Sequence, residues 1–244
     1  MPLIEDLLIF EENLKMNQAK FGILYVVSTP IGNLSDITLR AIETLKQVDL
    51  IAAEDTRHSG ILLKNYSITT PLTSYHDFNK QKKGPELIQQ ILSGRSVALV
   101  SDAGTPGISD PGYLLIKLAI ENQIQIVPIP GPAAFISALV VSGLPTDKFS
   151  FEGFLPNKPQ KRRRRLEELA QEKRTLIFYE SPYRLLKFLE EVRQILGDRR
   201  ICVARELTKK FEEIKRGAVS EVLGYFQQGK VKGELIIVVE GKKD

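Results

Sequence analysis

The feature that most constrains this chain is an alternation. Short, near-continuous apolar runs recur through its first 140 or so residues, and most are followed by a stretch with apolar residues at helical spacing. "GILYVVSTP" (22–30), "VDLIAAE" (48–54), "ITTPLTSY" (68–75), "SVALVSD" (96–102) and "QIQIVPIPG" (123–131) read as strands. "SDITLRAIETLKQ" (35–47), "GPELIQQILSG" (84–94), "GYLLIKLAIEN" (112–122) and "PAAFISALVVSG" (132–143) read as helices. Ser35 or Asp36 is the expected N-cap of the first, and a glycine closes the second. Strands that are apolar throughout and linked by helices belong to a parallel sheet covered on both faces.

The pattern breaks at "GLPTDKF" (143–149). Beyond it come "RTLIFYE" (174–180), "SPYRLLKFLEEVRQIL" (181–196), "RRICVARE" (199–206), "FEEIKRG" (211–217), a helix around "AVSEVLGYFQQ" (218–228) and "GELIIVVEG" (233–241). Several of these strands follow one another without a helix, which fits a mixed sheet. The expected organisation is a leader over 1–20, an N-terminal α/β domain over 21–142 and a C-terminal α/β domain over 143–244. The leader is acidic and lacks the basic lead of a secretory signal. No apolar run approaches the ~20 residues of a membrane span. With Cys202 as the sole cysteine and only His58 and His76 as histidines, an internal disulfide and a cysteine zinc cluster are excluded and no histidine metal site is suggested. A reducing cytoplasm is the simplest home.

Net charge is +4, but its placement matters more than its size. "KPQKRRRR" (158–165) holds six basic and no acidic residues, and the rest of the chain carries 28 basic against 30 acidic. One basic hot spot on a near-neutral chain suits a local polyanion contact, or simply the solvated start of the mixed-charge helix "RRRRLEELAQEKR".

In open α/β sheets ligands bind beyond the carboxyl ends of the strands. There the first half places "STPIGNLSD" (28–36), "EDTRHSG" (54–60), "SDAGTPGISDPG" (101–112) and "PIPGPAA" (128–134). Glycine loops that cradle phosphates, GxGxxG or GxxxxGK[ST], are absent. The 101–112 loop brings Asp102 and Asp110 and no cation, which would repel a pyrophosphate. Carboxylates beside stiff, bare backbone suit ribose hydroxyls, an adenine edge and a positive centre, and S-adenosylmethionine has all three. A long βα loop with no ligand is the other reading.

The segments "VSTPIGNLSDITLRA", "AAEDTRHSG", "SDAGTPGISDPG", "PIPGPAA", "FEGFLP", "YESPYR" and "ARELTK" occur in this order. Together they resemble the tetrapyrrole methylase superfamily, and within it the ribosomal RNA small-subunit methyltransferase I family, over roughly 22–241. The resemblance implies a two-domain fold, a cofactor cleft between the domains, and a homodimer. It implies methyl transfer from S-adenosylmethionine to the ribose 2′-oxygen of cytidine 1402 of 16S rRNA. The implied cofactor site comprises Pro30, Gly104, Thr105, Pro106, Gly107, Ile108, Pro132, Ala133 and Ala134, with Tyr179, Ala204 and Gly233 from the C-terminal half. Larger family members carry a short C-terminal extension, and any RNA contact made by one is not expected in this sequence.

In-line methyl transfer needs alignment above all, and a ribose hydroxyl gains from a base. Glu54, Asp55, Asp102, Glu180 and Glu206 are the candidate bases, with Asp102 equally suited to hold the ribose or the loop. His76 is a lower-ranked candidate. Arg57 joins Glu54 and Asp55 in a dense charged turn, read as substrate contact or as a self-contained ion pair. Arg162, Arg163, Arg164 and Arg165 are expected to clamp rRNA, and Arg184, Arg205 and Lys209 to bind phosphates, the other reading being internal ion pairs of Glu180 with Arg184 and of Glu206 with Lys209. Tyr179 and Tyr183 are candidates to stack on an unpaired base, Tyr179 equally for the core. Two rival functions stand beside this one. A small-molecule methylase for corrin or porphyrin precursors has no use for the arginine run, and a non-enzymatic RNA-binding module leaves the four rim loops without purpose.

Overall fold

Side-chain alternation along five short strands explains the first half of the chain. β1 (Leu24–Val27), β2 (Leu50–Ala53), β3 (Leu72–Ser74), β4 (Val97–Val100) and β5 (Ile126–Ile129) form one sheet in the order β3-β2-β4-β1-β5. Every pairing in it is parallel. The structure is a computed structural model and describes residues 21–243. The leader expected over 1–20 lies outside the described residues.

The central strands β2 and β4 are buried on both faces, and successive residues point to opposite sides. Ile51, Ala53, Ala98 and Val100 join a core with α1 (Leu39–Gln47) and α2 (Thr56–Asn65). Leu50, Ala52, Val97 and Leu99 join a second core with α3 (Lys80–Leu92) and α4 (Gly112–Glu121).

Three local expectations change. Thr38, not Ser35 or Asp36, caps α1, accepting the Ala41 amide at 3.2 Å. Ser35 and Asp36 lie in a short 3-10 turn instead. Ile37, just before the cap, and Ile42, four residues past it, pack into the same core and fix the entry of the helix. "EDTRHSG", read as an open loop, contains the start of α2, capped by Asp55 through the Arg57 amide at 2.8 Å. α3 begins at Lys80, four residues before the Gly84–Pro85 signal, and carries Pro85 in its interior.

The second sheet runs β6 (Phe149–Phe154), β7 (Thr175–Glu180), β10 (Leu235–Val239), β8 (Arg200–Arg205), β9 (Glu213–Ala218). β6 and β7 are parallel and the remaining pairs antiparallel, the mixed sheet expected. α6 (Pro159–Glu168), α7 (Leu185–Ile195) and α8 (Val219–Gln227) cover one face, around Phe178, Phe188 and Val222. α5 (Ala134–Ser142) covers the other with Ile31, over Ile177, Ala204 and Ile236.

The chain thus forms two compact units. One holds the described residues up to Thr29 with Asp36–Gly131, the other Pro30–Ser35 with the chain from Pro132 onward. The division falls at 131/132, not after 142. α5, with the sequence AFISALVVS, is apolar nearly all round, and it packs into the core of the second sheet.

Candidate active site

β3, β2, β4, β1 and β5 end side by side. The loop after β4 is held against the end of β1. Thr29 and Gly104 exchange main-chain hydrogen bonds at 2.9 and 3.0 Å. The Thr29 hydroxyl donates to the Ser101 carbonyl at 3.1 Å, and the Ser28 and Thr105 hydroxyls meet at 2.9 Å. Gly104 and Gly107 take φ of +82° and +89°, a region glycine enters at no steric cost.

Asp110, expected to face a ligand, instead fastens the loop. Its carboxylate accepts the Gly107 amide at 2.8 Å and the Gly112 amide at 2.7 Å. A Cβ on Gly112 would come within 2.8 Å of that carboxylate, so this approach requires glycine. The loop is therefore pre-formed, as its two prolines suggest, and Ile108 is partly exposed upon it.

The neighbouring ends of β2 and β4 are tied by a reciprocal pair. The Asp102 carboxylate accepts the Asp55 amide at 2.9 Å, and Glu54 accepts the Asp102 amide. Glu54 is half-buried, and this burial raises its proton affinity above the ordinary carboxylate range. The Asp102, Asp110 and Asp77 charges add to the rise, and the Asp102 amide opposes it. Asp55 is the opposite case. The Arg57 guanidinium at 2.6 Å and the Arg57 amide hold its carboxyl far below the usual range. Asp55 and Arg57 thus satisfy each other, and Glu54 is the carboxylate of this turn with a raised demand for a proton. The His76 main chain is held by the Asn79 side chain at 2.9 Å in the turn after β3, and its ring Nδ1 is buried without a hydrogen-bond partner.

In the second unit several candidates prove structural. Glu180 is 2% exposed. It accepts the Ser181 amide at 2.6 Å and Arg184 at 2.6–2.7 Å, which makes it a buried anchor and not an accessible base. Arg162 is 3% exposed and donates two bonds to the Glu191 carboxylate at 2.6 and 3.0 Å. The four-arginine clamp is corrected on that ground. Residues on a helix advance about 100° each, so four in a row cannot share a face. Arg162 turns inward with Leu166, Arg165 pairs with Glu152 at 2.8 Å and Glu168 at 2.9 Å, and Arg163 reaches Gln194 at 3.1 Å. Arg164 is the outward member, its side chain 83% exposed.

The foreseen pairing of Lys209 with Glu206 is present at 3.0 Å. Not foreseen are the second contact of Lys209, to Glu234 at 3.1 Å, and the pairing of Arg205 with Glu213 at 2.8 Å. Gly233 abuts the Glu206 side chain. Ala204 is wholly buried in the core beneath α5. Tyr179 packs between Phe151, at 5.0 Å, and Phe154, at 5.4 Å. Tyr183 is exposed. Pro30 and Pro132–Ala134 lie in the second unit. Sequence alone did not single out Thr29 or Glu191. The hydroxyl pair closing β1 was a usable signal for the first, but nothing local marks a partner 29 residues from Arg162.

Comparison with known proteins defines the class. Residues 23–223 match the family described as Tetrapyrrole (Corrin/Porphyrin) Methylases. The uroporphyrin-III-C-methyltransferase of Thermus thermophilus has the same fold, with a TM-score of 0.63 at 19% identity over 89% of this chain and 94% of that one. In sequence the chain is 53% identical over 221 residues to Ribosomal RNA small subunit methyltransferase I of Synechocystis sp., covering 90% of this chain and 79% of the relative. It is 52% identical over 220 residues to the protein of that name in Halalkalibacterium halodurans, covering 90% and 76%. The chain belongs to the tetrapyrrole methylase family, and within it to the ribosomal RNA small subunit methyltransferase I group.

Proposed function

We propose that this chain transfers a methyl group from S-adenosylmethionine to the ribose 2′-oxygen of a cytidine, cytidine 1402, in 16S rRNA of the small ribosomal subunit, in the cytoplasm. The observation that carries the reading is identity of about one residue in two, across nine-tenths of the chain, with relatives named for ribosomal RNA methylation. The same reading makes the active species a homodimer.

The chemistry of the rim fits the donor. S-adenosylmethionine supplies a methyl group on a positively charged sulfur. Glu54, Asp102 and Asp110 give that rim a negative field, and Arg57, the nearest cation in sequence, is matched by Asp55. Such a field favours a sulfonium and accepts ribose hydroxyls. The side-chain-free backbone at Gly104 and Gly107, with exposed Ile108 between loop prolines, suits a flat adenine. Asp102 and the 104–108 backbone hold the donor. Positioning of this kind is worth up to ~7–11 kcal/mol in well-oriented reactions. Glu54 accepts the proton of the attacking 2′-hydroxyl, a contribution of ~10²–10⁴-fold. On the second unit Arg163 and Arg164 meet rRNA phosphates, and Tyr183, 94% exposed, stacks on an unpaired base.

Calorimetry with S-adenosylmethionine and S-adenosylhomocysteine, followed by labelled methyl transfer to naked 16S rRNA, small subunits and a tetrapyrrole offered in parallel, tests this. Binding of both nucleosides and label in rRNA are expected. Binding of neither, or label in the tetrapyrrole alone, overturns it.

A further inference from the structure

Phe78 is 99% exposed, the least favourable place for a phenyl ring in water. It sits in the turn between β3 and α3, and that turn is rigid. The Asn79 side chain accepts the His76 amide at 2.9 Å and donates to the Ser74 carbonyl and hydroxyl at 3.2 Å. The Asn79 and Lys80 amides both return to the His76 carbonyl, at 3.0 and 2.9 Å. The His76 ring stands edge-on to Phe78, 6.1 Å away between centroids. A ring with two rotatable bonds on a fixed turn loses little freedom when something stacks on it.

Its place and surroundings narrow what that something is. The Tyr75 amide donates to the Ala53 carbonyl at 2.8 Å, so the chain leaving β3 runs beside Glu54. Phe78 is three residues further on, a span of at most about 11 Å. The segment "HDFNKQKK" carries three lysines: Lys80 matches Asp77 at 2.7 Å and Lys83 matches Glu86 at 3.1 Å, which leaves Lys82. Lys82 is exposed in the first turn of α3. An exposed aromatic ring with an exposed lysine, Lys82, four residues on is an arrangement that grips unpaired nucleic acid, with a base on the ring and a phosphate on the cation. A protein partner would want a wider apolar patch around the ring, and the flanking residues are His76, Asp77, Asn79 and Lys80.

We propose that Phe78 is a positioning residue, a platform on which an unpaired base of the RNA beside the reacting nucleotide stacks. The proposal rests on the rRNA reading above. The test is steady-state methyl transfer to small ribosomal subunits by the full chain and by Phe78→Ala, Phe78→Leu and Phe78→Trp. Ala and Leu are expected to raise KM for the subunit by roughly 5- to 150-fold, the range expected when one base–aromatic stack is removed, with kcat changed far less. Trp is expected to match the parent, and all variants to keep the parent's Tm and affinity for S-adenosylmethionine. Ala and Leu variants with the parent's KM overturn the platform and leave the rRNA reading intact. Recovery by Leu, or a loss that tracks a change of oligomeric mass in sedimentation, overturns it in favour of an apolar protein contact. A parent chain that methylates no subunit RNA removes the rRNA reading and the platform together, and that control is read before any variant is compared.

Discussion

At the scale of single residues the weight falls on Glu54. Its burial and the neighbouring carboxylates raise its proton affinity, which suits a base working near neutral pH. Glu54→Gln is expected to lower kcat by ~10²–10⁴-fold while S-adenosylmethionine affinity holds. The same residue has a stability signature. The folded chain holds this proton more tightly than the unfolded chain does. Stability is therefore lost as pH rises from the ordinary glutamate value through the raised one, and the penalty is fully present above it. Thermal melts should show Glu54→Gln more stable than the parent at pH 7.5 and no more stable below pH 4, a difference absent if Glu54 is an ordinary surface acid. The string Glu54–Asp55–Thr56–Arg57 marks the spot but not the division of labour. That depends on Asp55 being the cap of a helix whose first turn is all polar and shows no apolar period.

At the scale of elements, the basic helix and the loop after β4 behave differently from their appearance as strings. α6 buries Arg162 against Glu191, and breaking such a pair leaves a buried unpaired charge. Arg162→Met is expected to cost about 3–5 kcal/mol in urea unfolding, with much of it recovered in Arg162→Met/Glu191→Leu. Arg163→Gln/Arg164→Gln should leave stability unchanged and reduce the slope of log affinity against log salt by roughly 0.7 for each phosphate no longer neutralised, read in RNA titrations at several salt concentrations. A salt dependence that does not change would place the RNA elsewhere. For the loop, Asp110→Ala removes the carboxylate that holds the Gly107 and Gly112 amides. It is expected to cost about 1.5–3 kcal/mol of stability and to weaken S-adenosylmethionine binding measured by calorimetry. Strands and most helices are legible in the sequence because burial imposes periods of two and 3.6 on apolar residues. Which arginine turns inward is set by the phase of α6 against a core assembled from distant segments, and a run of identical residues carries no phase.

At the scale of the molecule, the α/β class and the change from a parallel to a mixed sheet are both readable, since apolar runs joined by helices differ from runs joined by turns. The division at 131/132 is not readable, because α5 continues the alternating pattern of the first sheet while its apolar surface belongs to the core of the second. The candidate site is legible as a rim of loops, and its internal wiring is not. Thr29 to Gly104 and Asp102 to Asp55 join residues 47 or more positions apart. The central claim is transfer of a methyl group to a sugar hydroxyl of the small subunit's RNA. Nucleoside mass spectrometry of 16S rRNA, after small subunits lacking the modification react with the chain and isotope-labelled S-adenosylmethionine, tests it most directly. The expected product is labelled 2′-O-methylcytidine at cytidine 1402; label on a base, or unlabelled rRNA beside a chain that binds the donor, contradicts it.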